Sequence, residues 1–204
     1  MIRHLDIPYI VRDSGALLLD VCMPEEPAVS PRPAILFLHG GGWIDGDKTT
    51  SANDWLAEAG FFTASIDYRL TDVARFPAQM HDAKAAIRWV RAYAEEYNVD
   101  PQRIGVWGFS AGAHLAALCA VTNDNPGYEG EGNDGFSSAV QAAVLISPPT
   151  DFLIDWYAVA AMPVHPEGEM CITGLLDGTA TASPERARQA SPLWQVGSNA
   201  APQL

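Results

Sequence analysis

From residue 7 onward, apolar runs of strand length alternate with stretches whose apolar residues recur every three to four positions. That alternation predicts an α/β fold: a mostly parallel central sheet with helices on both faces. Residues 7–11 and 16–23 read as two strands around the turn Asp13-Ser14-Gly15, an antiparallel entry into the sheet. Ala34-Ile35-Leu36-Phe37-Leu38 is apolar without a break, as a strand buried on both faces must be. A short helix over 51–59, a strand over 61–66 and a long helix over 78–97 follow. The long helix carries Ala83, Ile87, Val90 and Ala94 on one face and has His81 and Asp82 in its first turns. A strand over 103–107, an Ala-rich helix over 110–121 and a buried strand over 140–146 complete the regular pattern. The Pro-rich 24–33 and the Gly/Asn/Asp/Glu-rich 123–138 read as loops. Residues 151–182 mix aromatics, Pro and Gly in the manner of an irregular, lid-like excursion. Without a repeat or a linker, residues 1–204 read as one domain.

Composition narrows the functional classes. With 48% hydrophobic and 18% charged residues the chain can bury a core. A net charge of −13 with no Lys/Arg run repels phosphate backbones and anionic lipid surfaces, so neither nucleic acid nor membrane is an expected partner. Asp6 and Pro8 interrupt the N-terminus before an apolar run of signal-peptide length, which predicts a cytoplasmic product. Cys22, Cys119 and Cys171 share no metal-ligand or redox spacing and read as free thiols. No metal cluster or dinucleotide-binding glycine pattern is present, so no cofactor is expected.

Two glycine-rich turns carry the chemistry. Gly108-Phe109-Ser110-Ala111-Gly112 lies between a predicted strand and a predicted helix, the context in which a G-x-S-x-G pattern describes a nucleophile elbow. The flanking glycines let neighbouring chains pass while Ser110 projects its hydroxyl above the sheet at a helix N-terminus. His39-Gly40-Gly41-Gly42-Trp43 follows the strand 34–38. Acyl transfer passes through an oxyanion that needs several N–H donors converging on one point. Gly41 and Gly42, joined by the N–H of Ala111, are the expected oxyanion hole. His39 reads as the anchor of this loop rather than a base.

On these residues the sequence resembles the esterase/lipase branch of the α/β-hydrolases, which includes hormone-sensitive-lipase-like and feruloyl-esterase-like enzymes. Asp67-Tyr68-Arg69-Leu70, Phe76-Pro77-Ala78, the stretch from Asp100 to Gly108 and Ala190-Ser191-Pro192-Leu193 extend the resemblance over 34–200. It implies Ser110 as nucleophile, with a triad Asp and His on loops after two further strands that should begin just beyond Leu204. Without a base to take its proton, serine is a poor nucleophile, so the chain alone is expected to be a feeble catalyst. Loss of those strands would also leave 140–146 as an unpaired edge. Such an edge calls for a C-terminal segment, a second chain or another copy in a homodimer.

An internal relay of Asp151 and His165 is the weaker arrangement, because Pro163, Pro166 and Gly168 around His165 offer nothing to orient it. His114 reads as a packed core histidine, and His4 and His81 as surface or capping residues. Asp67 and Arg69 read as support for the HGGGW loop, pairing with each other or with it. Trp43, Phe152, Trp156 and Tyr157 are candidates to line a substrate pocket, against the plainer reading that aromatics pack. The leading expectation is a serine hydrolase of short-chain or aromatic small-molecule esters. An arylformamidase and a non-catalytic binding module keep the same fold.

Overall fold

The computed structural model describes residues 1–49, 52–123, 125–154 and 166–204. Six strands form one sheet: β1 (Ile2–Arg12), β2 (Gly15–Met23), β3 (Arg32–Leu38), β4 (Phe62–Ile66), β5 (Val99–Phe109) and β6 (Ala142–Ile146). Their order is β1-β2-β4-β3-β5-β6. The hairpin β1–β2 is antiparallel and β2 joins β4 antiparallel, while β4, β3, β5 and β6 run parallel. The helices are α1 (Asp54–Glu58), α2 (Ala78–Ala92), α3 (Ala111–Val121), α4 (Pro166–Leu176) and α5 (Pro184–Ala190).

Central β3 lies between β4 and β5, which is why its apolar run shows no alternation. Helices α2 and α3 pack against each other and the sheet, while α1 packs on β2 and β4 from the opposite side. Every residue of α3 is buried, as an all-apolar helix requires. No helix among the described residues is long and apolar enough to cross a membrane.

Three expectations are corrected. The long helix ends at Ala92 rather than 97: Tyr93 and Tyr97 turn back onto the Trp89 ring, and Asn98 breaks off at a φ of 52°. Strand β5 starts four residues early, at Val99, across a register irregularity between Arg32 and Ala34 that tolerates Pro101. Within the supposedly irregular 151–182, α4 forms because Cys171, Ile172, Leu175 and Leu176 pack along one helical face. Pro166, Gly168 and Gly174 disguise that spacing as a breaker-rich loop.

The β6 edge is not bare either. Ala143 N–H donates to Pro202 O at 3.0 Å, Leu204 N–H to Ala143 O at 3.0 Å, and Leu145 N–H to Leu204 O at 2.8 Å. Residues 202–204 thus start a parallel neighbour to β6, inside the point where the next strand was expected. The face of β5 and β6 away from α3 stays open, with Trp55 61%, Val144 40% and Ile146 43% exposed.

Candidate active site

Ser110 sits between β5 and α3 with φ 53° and ψ −116°, a conformation that L-residues avoid and that neighbouring contacts must impose. Its N–H donates to Ile146 O at 2.9 Å, and its carbonyl accepts the His114 N–H at 3.0 Å. The flanking glycines are steric necessities. A β-carbon on Gly112 would strike Leu38 O and lie 2.5 Å from His39 O, and one on Gly108 would lie 2.6 Å from Gly112 O. Helix α3 therefore starts directly over the end of β3, and this brings the two glycine-rich turns together.

A β-carbon built on Gly40 would lie 3.7 Å from that of Ser110. Beyond it Gly41 and Gly42 take φ 109° and 59°, angles open to glycine at little cost. Among the described residues, none accepts from the backbone N–H of Gly41, Gly42 or Ala111. Ile44 and Asp45 N–H groups both donate to Gly41 O, closing the turn at 3.0 and 3.1 Å.

The rest of the loop is held from below. His39 Nδ1–H donates to Gly40 O at 2.7 Å, and its ring stacks on Tyr68 at 4.2 Å. Tyr68 in turn donates its hydroxyl hydrogen to His39 O at 2.8 Å. Burial lowers the His39 pKa, so the ring is neutral and serves as an anchor. Asp67 accepts the Lys48 N–H at 2.8 Å, and burial raises its carboxyl above the usual range against that bond. Lys48 Nζ is clamped by Asp6 and Asp20 at 2.7 and 2.9 Å, which ties the loop to the N-terminal hairpin. Arg69 does not pair with Asp67. It grips fully buried Asp82, which also receives Arg12 from β1. Tyr68 and Asp82 hold the site without signalling this alone, and Lys48 has no sequence signal at all.

Trp43 and Phe152 are each 3% exposed and pack on His114, both rings 5.1 Å from it. They form a closed aromatic cluster under the site instead of an open pocket wall. His114 Nε2–H donates to Ala190 O at 2.7 Å, and burial pushes its pKa down to about 4. Asp151 accepts the Leu153 N–H at 2.8 Å and Trp194 Nε1–H at 3.1 Å. Ser191 accepts the Phe152 N–H and donates to Ala187 O, fixing the chain just after β6. His81 is half-buried against Gly130, and His4 sits at the surface beside Tyr97. Among the described residues, no side chain is hydrogen-bonded to the Ser110 hydroxyl. Trp156, Tyr157 and His165 lie outside the described residues.

Comparison with known proteins places this geometry. The BD-FAE family model matches residues 19–204. Esterase LipC of Mycobacterium tuberculosis is 34% identical over 195 residues, which cover 94% of this chain and 47% of LipC. The structure of a truncated carbohydrate esterase from gut microbiota superposes with a TM-score of 0.85 at 28% identity, covering 100% of this chain and 75% of that one. Propionate-bound esterase Est2 of Thermogutta terrifontis superposes with a TM-score of 0.75 at 27% identity, covering 98% of this chain and 69% of that one. The chain therefore spans about half the length of LipC.

Proposed function

Given that the chain belongs to the BD-FAE family, we propose that it forms the nucleophile-bearing part of a serine carboxylic ester hydrolase. Ser110 attacks the ester carbonyl, the alcohol leaves, and water releases the acid from the acyl-enzyme. The oxyanion rests on the N–H groups of Gly41, Gly42 and Ala111. One observation carries the reading: Gly40 abuts Ser110, and the next two amides and that of Ala111 have no acceptor among the described residues.

Among the described residues no histidine is bonded to the Ser110 hydroxyl, and we read the base and its acid as supplied by a C-terminal continuation of the chain. His39 and His114 are buried and committed to carbonyls, and Asp151 is committed to Trp194 and Leu153. Residues 202–204 run parallel to β6 toward Ile146, whose carbonyl holds the Ser110 N–H, so a continuation there emerges beside the nucleophile. The substrates are short-chain or aromatic esters of small molecules, in keeping with the esterase relatives.

The test is p-nitrophenyl acetate hydrolysis by the full-length protein and its Ser110→Ala variant. A drop of about 10³-fold or more in kcat is expected, and equal rates overturn the proposal. N-formylkynurenine in the same assay separates a formamidase from an esterase, and preferential turnover of the formamide would move the reading to amide hydrolysis.

A further inference from the structure

The oxyanion loop ends on a strained residue. Trp43 takes a φ of 61°, in the left-handed region that a bulky side chain avoids. A fourth glycine would adopt that angle at little cost, so what tryptophan supplies here is its ring. Such strain persists only where the surroundings over-determine it. The turn that Trp43 occupies is the one that carries the oxyanion donors. Gly42 stands directly before it, and Gly41 O accepts the N–H groups of Ile44 and Asp45 directly after it.

The ring is captured from two sides. His114 of α3, one helical turn beyond Ser110, meets it edge-on at 5.1 Å and 88°. Phe152, from the segment after β6, meets it at 5.8 Å and 64°. Phe152 and His114 also pack on each other at 5.1 Å and 83°, so the three rings form a closed triangle. Among the described residues, Trp43 Nε1–H and His114 Nδ1 have no hydrogen-bond partner. Trp43 is therefore held by the shape of the cluster, and the placement of the two partner rings decides where it sits.

Both partner rings are pinned by adjacent residues of one turn, at the end of α5. Ala190 O accepts His114 Nε2–H at 2.7 Å. Ser191 Oγ accepts the Phe152 N–H at 2.8 Å while donating to Ala187 O at 2.7 Å. His114 and Ser191 have no exposed surface. These residues open the Ala190-Ser191-Pro192-Leu193 stretch, to which the reaction itself gives no task. A chain of contacts thus runs from this turn through two rings to Trp43, and from there to the peptide units of Gly41 and Gly42. His114 belongs to the helix that follows Ser110, so the same contacts fix the donors relative to the nucleophile.

Resting on the ester-hydrolase reading, we propose that His114 and Ser191 are positioning residues of the oxyanion hole. They hold the ring of Trp43 so that the Gly41 and Gly42 amides face the oxygen of the tetrahedral intermediate, and neither touches the reacting atoms. Oxyanion donors act over about 2.7–3.1 Å, so a small misplacement is costly. Formation and breakdown of the acyl-enzyme both pass through an oxyanion, and the effect therefore falls on kcat.

The full-length protein is assayed with p-nitrophenyl acetate as wild type, His114→Gln, Ser191→Ala, the double variant and Ile87→Val. His114→Gln keeps an amide donor for Ala190 O and removes the ring, whereas Ser191→Ala releases the backbone of Phe152. Each should lower kcat about tenfold or more with KM within about twofold. The double variant should fall little further than the worse single, because both act through one ring. Ile87→Val trims a buried side chain of α2 outside the cluster, so it should lose stability and keep kcat within about twofold.

Amide hydrogen exchange of the peptide 39–46, read by mass spectrometry, supplies an arm that needs no turnover. Loosening of the turn frees the N–H groups of Ile44 and Asp45 from Gly41 O. Exchange should quicken severalfold in His114→Gln and in Ser191→Ala and keep the wild-type rate in Ile87→Val. If one cluster variant does not fold, the other carries both measurements. If wild-type hydrolysis does not depend on Ser110, the hydrolase reading fails alone, and the exchange arm still decides whether the two residues hold the loop. In a Ser110-dependent hydrolase, kcat within about twofold of wild type in both variants, a change confined to KM, or an equal fall in Ile87→Val overturns the assignment. Unchanged exchange overturns it in either case.

Discussion

A methyl group has no place at residue 112, because α3 crosses the end of β3 so closely that a β-carbon would press on the carbonyls of Leu38 and His39. Those carbonyls belong to the strand that leads into the oxyanion loop, so the collision cannot be relieved locally. Gly112→Ala is expected to cost about 3 kcal/mol or more. Gly105→Ala, whose β-carbon would meet only Ala142 O at 3.4 Å, should cost under about 1 kcal/mol. Urea denaturation midpoints of the two variants check the contrast. This part of the site was legible because the elbow's spacing is itself a steric rule. The partners of His114 were not, since Ala190 lies 76 positions away. That histidine makes stability depend on pH. Its folded pKa of about 4 lies below the 6.5 of an unfolded histidine, so the unfolded chain takes up the proton first. The contribution is complete above pH 6.5 and is lost progressively down to about pH 4, in total about 3 kcal/mol. His114→Gln should flatten that part of the wild-type stability curve, seen as a smaller difference between denaturation at pH 7 and pH 4.5.

At the scale of elements, the central strands and α3 could be read in advance because burial on every side leaves an unbroken apolar pattern. Helix α4 escaped because its one buried face is written across Pro166, Gly168 and Gly174, residues that elsewhere end helices. The clamps between elements escaped as well, since a charged residue does not announce its partner. Asp82 of α2 is the clearest case, with no exposed surface and two arginines on its carboxylate. Arg12 comes from β1, and Arg69 from the segment after β4. Arg69 donates its Nε–H at 2.8 Å, an Nη2–H at 2.9 Å and its backbone N–H at 3.0 Å. Asp82→Asn removes the charge, leaving partly buried Arg69 without a carboxylate partner among the described residues and Arg12 with only the exposed Glu131 at 3.6 Å. A loss of about 3–5 kcal/mol is expected. The double replacement of Arg12 and Arg69 by Met in the Asp82→Asn background should recover part of it, because the stranded charges are then gone. Thermal unfolding of the three proteins separates the cost of the orphaned charges from that of lost packing.

At the scale of the whole molecule, the sheet is unequally covered. Helices α2 and α3 shield one face, while on the other α1 reaches β2 and β4 and stops short of β6. An apolar hollow of about 200 Å³ remains there, bordered by Ile35, Trp55, Trp107, Val144 and Ile146. Clustered apolar exposure of this kind invites association, whereas scattered surface hydrophobes do not. Strand β6 adds an incompletely paired edge, because 202–204 supply backbone bonds only at Ala143 and Leu145. A longer chain that continued the strand begun at 202–204 and returned over Trp107 and Val144 would close both openings at once. It would also place new loops at the end of the sheet where Ser110 stands. The 204-residue chain should therefore bind a dye such as ANS and self-associate with rising concentration. Val144→Lys should suppress both, since it puts a charge in the middle of the hollow without touching the α3 side of the sheet. The full-length protein should show neither behaviour under the same conditions. Sedimentation velocity of the three proteins decides the matter: if Val144→Lys associates as strongly as the parent chain, the hollow is not the sticky surface. If the full-length protein associates equally, its added residues do not cover this face.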